Sequence, residues 1–381
     1  KREYDKSLIA SKEHIALARE VAEKSVTLLK NENNILTIYT TMKHFIISAV
    51  AILSLCGCNS HITYLTMTGP AQGGEYHITF CDSDSKGRKI SREMITSATD
   101  SILTLVENTF SGYNKFSVLS DFNKSDGDFR VPAVFCDLYG ICINLWKETG
   151  GLFDISAAPL FDFWGFGFKD PARMAEMRSN GNTPAVIDSL LDFCGMQHLE
   201  LSYPKGENPV LHKDDPRVRL NFNAIAQGYT CDLIAREFEE MGIGNYLIEV
   251  GMEIRCKGVN ASGKKWRIGI DAPIDGNMTA GADIRDVVEV SDCGIVTSGN
   301  YRKFFIGEDG EKYAHSINPI SGWPARDTLL SATVIAPNAT MADAYATYCM
   351  VLGYEKAVEF LESRDDLNGY LITPHATYRK L

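Results

Sequence analysis

Residues 331–353 read SATVIAPNATMADAYATYCMVLG. The β-branched and apolar residues up to Ala336 predict a strand, which Pro337 and Asn338 bring to an end. A helix is then expected from about Thr340 to Leu352. Asp343 and Thr347 stand four residues apart and share one helical face. A carboxylate and a hydroxyl so placed, near a helix start, suit a hard cation such as Mg²⁺. The same carboxylate also favours the positive end of the helix dipole with no ligand present.

Elements of both kinds surround this strand–helix unit. Downstream, residues 355–362 read as a short helix and NGYLIT (368–373) as a strand. Upstream, NYLIEVG (245–251), EIRCKGV (253–259), KWRIGIDAP (265–273), DVVEVSD (286–292) and GIVTSGNYRKFFI (294–306) read as strands. Helices are expected over Ser91–Val106, 134–150, 184–195 and about Ala224–Met241. EYHITF (75–80) alternates with a two-residue period after the glycine-rich GPAQGGE. FDISAAPLFDFWGFG (153–167) reads as an aromatic, glycine-punctuated loop. Helices and strands fall in mixed blocks without strict βαβ alternation. That predicts an α+β fold with largely antiparallel sheets flanked by helices.

Two further segments carry candidate chemistry. In NFNAIAQGYTCDLIA (221–235), Ala224, Ala226 and Gly228 open a helix. Small residues there either admit a phosphate to the free amides or serve tight helix packing. In VTSGNYRKFF (296–305) and YAHSINPISGWPA (313–325), two turns bracket His315. A histidine in that setting is either structural or a candidate general base.

The formal net charge of −11 argues against nucleic acid as the main partner. None of the ten cysteines belongs to a CxxC pair, which speaks against a structural zinc site. Several lie inside apolar runs and read as buried thiols.

The stretch MKHFIISAVAILSLCGCNS (42–60) has a thin basic start, an apolar run from Phe45 to Leu55, and then Cys56, Gly57 and Cys58. The run is shorter than the roughly 20 residues a membrane-spanning helix needs. It has the length of a signal-peptide apolar region. Leu55 followed by Cys56, Gly57 and Cys58 has the pattern of a bacterial lipoprotein cleavage site, with Cys58 as the lipidated residue. Residues 42–57 are therefore expected to be a lipoprotein signal and residues 58–381 the exported domain. This implies a lipid anchor at the membrane, on the periplasmic or exported side. Before it, HIALAREVAEKSVTLLKNENNILTI (14–38) is an amphipathic pattern. It resembles a fragment of the family 3 glycoside hydrolases, without any part of their catalytic barrel. Residues 1–41 are read as a leader foreign to the function.

From about residue 60 to 381 the motifs resemble, in order, those of the FAD:protein FMN transferases, the ApbE-type flavin transferases. FSGYNKFSVLSDFN (110–123) resembles the family's FSxYxxxSxLSxxN, and residues 153–167 its FDxTxxPLxxxWGFG. Residues 221–232 resemble DxxxIAKGYxxD, and residues 245–273 resemble xxLVExGGEIxxxGxxxxGxxWxxGIxxP. VTSGNY, YAHSINPISGWP and SATVIAPNATMADAYATYCMVLG follow. The resemblance implies a T-fold-like architecture. It also implies Mg²⁺-dependent transfer of FMN from FAD to a Thr or Ser hydroxyl of an acceptor protein, with AMP released. The implied acceptor is a membrane redox-complex subunit.

Carried over by motif, Asp343, Thr347 and the backbone carbonyl of Ala224 are implied metal ligands, with Asp343 catalytic. His315 is the implied base. Tyr113, Asp154, Ser156, Asn221 and Gln227 fall at FAD-contacting places, with Gln72 in the N-terminal flavin loop. Ser298, Gly299, Tyr301 and Ser316 complete the set. Three positions depart from the family pattern. Gln72-Gly73-Gly74 replaces MGT, Asn221 and Gln227 replace Asp and Lys, and Met252 replaces a Gly. If that Gly position has positive φ, Met252 is strained by about 1 kcal/mol. Two alternatives share these residues: hydrolysis of FAD to FMN and AMP, and a non-catalytic flavin-binding lipoprotein.

Overall fold

The computed structural model describes residues 63–179, 182–277, 279 and 281–381. The leader, the signal segment and Cys58 lie outside the described residues.

A hairpin comes first. Strands β1 (Tyr64–Ala71) and β2 (Gly74–Cys81) pair antiparallel from Tyr64↔Cys81 to Ala71↔Gly74. Gln72 and Gly73 turn between them with φ of 49° and 80°. Two positive φ values in a two-residue loop suit the right-handed twist of the strands. Helix α1 (Arg92–Phe110) follows, its first turn capped by the Ser91 hydroxyl at 3.2 Å from the Met94 amide. Helix α2 (Val118–Lys124), the two-residue strand β3 (Phe129–Arg130), helix α3 (Ala133–Glu148) and helix α4 (Ala158–Trp164) come next. They are followed by helices α5 (Pro171–Ser179) and α6 (Thr183–Leu191) and by strands β4 (Leu199–Ser202) and β5 (Val210–Lys213).

Helix α7 (Ala226–Glu240) leads into strands β6 (Tyr246–Val250), β7 (Glu253–Lys257), β8 (Trp266–Asp271), β9 (Ile284–Val290) and β10 (Cys293–Gly299). Short strands β11 (Phe304–Ile306) and β12 (Lys312–Ala314) form a small hairpin. Strand β13 (Ser331–Ala336), helix α8 (Ala339–Leu352), helix α9 (Tyr354–Glu362) and strands β14 (Asn368–Ile372) and β15 (Thr377–Lys380) complete the chain.

One eight-stranded sheet organises these elements in the order β1-β2-β6-β7-β10-β13-β14-β15, every neighbour antiparallel. Its central strands are covered on both faces. Ala332, Val334 and Ala336 of β13 join the helical core, which contains Ala342, Ala346 and Cys349 of α8. Ile335 of the same strand packs the other way, against the β8–β9 hairpin with Trp266, Ile268 and Val288. Two-sided burial explains why this strand is apolar throughout instead of alternating. The fold is α+β, with largely antiparallel sheets flanked by helices.

Two expectations change. Residues 153–167 are not all loop, because α4 forms within them. It ends where Gly165 takes φ 84°, and Asp162 holds the returning chain by accepting from the Phe168 amide at 2.7 Å. Residues 294–306 are not one continuous strand but lie on both sides of the turn read at Ser298, Gly299 and Asn300, as β10 and β11. The chain leaves the sheet after Gly299, where the Asn300 amide donates to the Leu330 carbonyl and the Tyr301 carbonyl accepts from Gly276.

Candidate active site

The ends of β1, β7, β10, α7 and α8 meet at a cavity of about 520 Å³, within the range of small-molecule sites. Ala224, Gln227, Asp343, Thr347, Ser298, Gly299, His315, Ser316, Asn221, Asp154, Tyr113 and Gln72 all line it. The topology thus gathers residues scattered over most of the described chain. Ser156 and Tyr301 do not line it. Ser156 is buried behind the wall, its hydroxyl donating to Asp154 at 2.6 Å and accepting from the Gly195 amide at 2.6 Å. Tyr301 is buried under the turn.

Two carboxylates lock α7 and α8 together at their first turns. Asp343 of α8 accepts from the Gly228 amide of α7 at 3.1 Å. In the other direction, Asp232 of α7 accepts from the Ala339 and Thr340 amides at 3.0 and 2.8 Å and from the Thr340 hydroxyl. Arg255 lies 3.7 Å from Asp232. The close approach requires Gly228, since a Cβ there would sit 2.4 Å from the Ala339 carbonyl oxygen. Of the two expectations for the small residues, packing accounts for Gly228, whose amide is taken by Asp343 and not left free for a phosphate.

Asp343 is almost wholly buried, and burial pushes its carboxyl up to about 7 despite the Gly228 hydrogen bond. Nearby, Glu253 Oε2 is buried without a hydrogen-bond partner. Burial, with Asp343 beside it, pushes Glu253 well above the usual carboxylate range. On the next turn of α8, Thr347 Oγ1 is 3.4 Å from Ser298 Oγ, which β10 presents on its helix-facing side. Among the described residues no group of three or more His, Cys, Asp and Glu is arranged to hold a metal. The Asp343 carboxylate, the Thr347 hydroxyl and Ala224, with its main-chain carbonyl, line the same cavity and could supply an oxygen donor set. Such a set, beside the buried and unpartnered Glu253 Oε2, fits a hard cation that keeps some of its waters.

His315 lines the same cavity. Its Nδ1 lies 3.2 Å from the Lys303 carbonyl oxygen, which can only accept, so Nδ1 carries the proton and Nε2 keeps its lone pair. Burial, and then the Lys303 cation, push His315 down to about 4. It is therefore neutral at physiological pH. Phe166 packs edge-on against it, with centroids 6.2 Å apart. Asp154 is raised to about 6 by burial, while the Ser156 hydroxyl and amide oppose the shift. Tyr113 stands 66% exposed at the mouth, edge-on to Phe168. Gln72 donates to the Thr230 hydroxyl at 2.5 Å, tying the first hairpin to α7.

Met252 takes φ 85°. The backbone strain expected of a side chain at this position is therefore present, and Arg302 lies against its sulfur at 2.7 Å. Arg302, Lys303, Glu249 and Glu253 also line the cavity, and sequence reasoning missed them. Arg302 and Lys303 directly follow the VTSGNY motif, and Glu253 directly follows Met252. Glu249 and Glu253 stand at the two Glu positions of the motif matched over residues 245–273, so taking every charged position within the motifs and beside them would have found all four.

A family model described as "ApbE family" matches residues 72–371. The chain belongs to the ApbE family. Among its relatives, "FAD:protein FMN transferase" of Haemophilus influenzae is 32% identical over 330 residues, covering 86% of this chain and 91% of the relative. The protein of the same name from Escherichia coli K12 is 32% identical over 334 residues, covering 85% and 90%. The solved "Flavin Transferase ApbE from Vibrio cholerae" superposes with a TM-score of 0.69 at 28% identity, over 84% of this chain and 97% of that one. The apo flavinyl transferase ApbE of Pseudomonas stutzeri gives a TM-score of 0.69 at 27% identity, over 84% and 95%. These ApbE-family structures share the α+β architecture described above.

Proposed function

We propose that this chain transfers the FMN moiety of FAD to a Thr or Ser hydroxyl of an acceptor protein and releases AMP. The observation that carries this reading is one cavity holding both a neutral histidine with a free Nε2 and, on α8, an oxygen donor set for a hard cation. Membership of the ApbE family supports it.

In this reading His315 Nε2 accepts the proton of the acceptor hydroxyl as its oxygen attacks the FMN phosphorus. The bond to the AMP oxygen breaks, and AMP leaves. Nδ1–H on the Lys303 carbonyl fixes the ring for that step. Asp343, Thr347 and the Ala224 carbonyl would hold Mg²⁺, which when bound offsets pyrophosphate charge. Arg302 and Lys303 add positive charge on the cavity wall. Tyr113 and Phe166 offer flat apolar surface to an isoalloxazine ring.

The deciding experiment incubates the protein with FAD, Mg²⁺ and a Thr-containing acceptor peptide and weighs the peptide. Added FMN phosphoryl mass supports transfer. AMP and free FMN with unlabelled peptide would establish hydrolysis instead. Intact FAD would end the enzyme reading. We also propose that Cys58 is lipidated and holds the protein at the exported side of the membrane, beside redox-complex acceptors. Metabolic labelling with a fatty acid tests this, and a Cys58→Ser variant that stayed labelled would refute it.

A further inference from the structure

Cys256 and Cys293 face each other across the β7–β10 ladder as direct register partners. Their sulfurs are 3.9 Å apart, and both side chains are buried in the outer apolar cluster. Directly opposed residues of antiparallel strands have Cα atoms about 4.5–5.5 Å apart. That lies inside the span of about 4.4–6.8 Å that a disulfide bridges. Bond formation therefore needs side-chain rotation and no shift of the strands.

The pair also lies at the rim of the sheet. Cys293 is the first residue of β10, and Cys256 is one short of the end of β7. The chain turns beside them at Gly258 and at exposed Asp292, both with positive φ. The Gly258 amide donates to the Asp292 carboxylate at 3.2 Å. Cys293 keeps 8% exposure at this rim, whereas Cys256 has none. An isolated buried thiol is ordinarily inert packing. Sulfur-to-sulfur contact in register distinguishes this pair.

We propose that Cys256 and Cys293 are a modification site, a dithiol that a disulfide oxidant converts to a cross-strand disulfide. The Cys293 thiol loses its proton and attacks the oxidant's S–S bond, releasing one thiol and leaving a mixed disulfide. Cys256 loses its proton and attacks the Cys293 sulfur, releasing the second thiol. The protein gives up two electrons and two protons, and the oxidant's disulfide becomes two thiols. The new bond closes the excursion over residues 257–292, which carries the β8–β9 hairpin. It also ties together the far ends of two strands whose near ends, at Glu253 and Ser298, line the cavity.

The test treats the full chain with oxidised glutathione, once folded and once during refolding, then blocks free thiols and maps the digest by mass. The expected product is one cross-linked peptide pair joining Cys256 to Cys293, lighter by two hydrogens and reversed by dithiothreitol. Its Tm should exceed that of the reduced form by about 5–10 °C, from the loop closed. The Cys293→Ser variant should show neither change. The proposal is overturned if both thiols stay alkylatable in both arms, if the cross-link joins other cysteines, or if Cys293→Ser gains the same oxidant-dependent Tm. None of these outcomes depends on whether the chain transfers FMN.

Discussion

Replacing Asp343 by Asn separates what the buried carboxylate costs the fold from what it contributes to the site. The group titrates near 7 in the fold against an ordinary value of 3.8. The native state therefore holds its proton where the unfolded chain has lost it. The sign follows: below about pH 4 the group is neutral in both states and costs nothing. Between pH 4 and 7 the native state binds more protons than the unfolded chain, so stability falls as pH rises. Above pH 7 the full cost of burying the anion remains, of order 4 kcal/mol. Asn keeps an oxygen for the Gly228 amide and carries no charge. In EDTA at pH 8, Asp343→Asn should thus be more stable than wild type, by up to about 8 °C in Tm for a domain of this size. At pH 4 the two should agree within about 2 °C. Other buried carboxylates titrate alike in both proteins and cancel. Glu253 and Asp232 are the exceptions, because each is electrostatically coupled to Asp343, and their relief adds to the gain.

Mg²⁺ should close most of that gap. At a hundred times its dissociation constant a bound ion stabilises by about 2.7 kcal/mol, which wild type should gain at pH 8 and the variant should not. FMN transfer should fall about a thousandfold or more, the loss expected when a charge clamp is removed. Thermal melts of both proteins at pH 4 and 8, with EDTA and with Mg²⁺, read every arm. A variant no more stable than wild type in EDTA at pH 8, or one that responds to Mg²⁺ as wild type does, would refute the reasoning.

Four further outcomes are expected. With saturating Mg²⁺ and FAD, the transfer rate should show no histidine inflection between pH 5 and 8, because its surroundings push His315 down to about 4; His315→Gln should lower kcat by about 10²–10⁴ across that range, and an inflection near 6.5 that His315→Gln abolishes would contradict this, whereas one that persists belongs to another group such as Asp154. Met252→Gly should relieve about 1–2 kcal/mol of left-handed strain and lose about 0.5–1 kcal/mol to unfolded-state entropy, so urea melts should show a net gain between zero and about 1.5 kcal/mol, and a clear loss would mean that the Arg302 contact dominates. Gly228→Ala drives a Cβ into the Ala339 carbonyl and should destabilise by about 3 kcal/mol while abolishing the Mg²⁺-dependent rise in Tm. Asp232→Asn should weaken Mg²⁺ binding to the folded protein about tenfold or more, measured by Mg²⁺ titration at a temperature where the variant is fully folded; unchanged affinity would limit Asp232 to a structural role.

The parts of this fold that were legible in the sequence are those with local causes. The 3.6-residue pattern of α1 and α3, the alternation of β2, and the Pro337–Asn338 break all follow from near neighbours along the chain. Asn338 indeed caps α8, accepting from the Met341 amide at 2.9 Å. What was missed depends on distant partners. Helix α4 sits in a segment that reads as loop because its stability comes from outside: Trp164 donates to the Gly322 carbonyl at 2.8 Å and stacks on Tyr313. Strands β3, β4 and β5 are too short to show a period. The strain at Met252 was legible only through its unusual residue type, whereas the burial of Ser156 and Tyr301 behind the wall had no sequence signal.

The same distinction explains how the candidate site is built. A buried carboxylate on α8 is tolerable only if something fixes it where a cation can reach it. No neighbour along the helix does so. The α7 amide of Gly228 holds Asp343, and the α7 carboxylate of Asp232 holds the first turn of α8. Each helix therefore satisfies amides that the other leaves unpaired at its start. The arrangement places negative charge at two positive helix ends, a favourable setting for each carboxylate. It also leaves no room for a side chain at residue 228. Geometry this tight makes the α7–α8 junction rigid, and Thr347, one turn further along α8, inherits that rigidity. The cavity can then be open at its Tyr113 mouth, where a large ligand and a protein hydroxyl would both have to enter, without loosening Asp343 and Thr347.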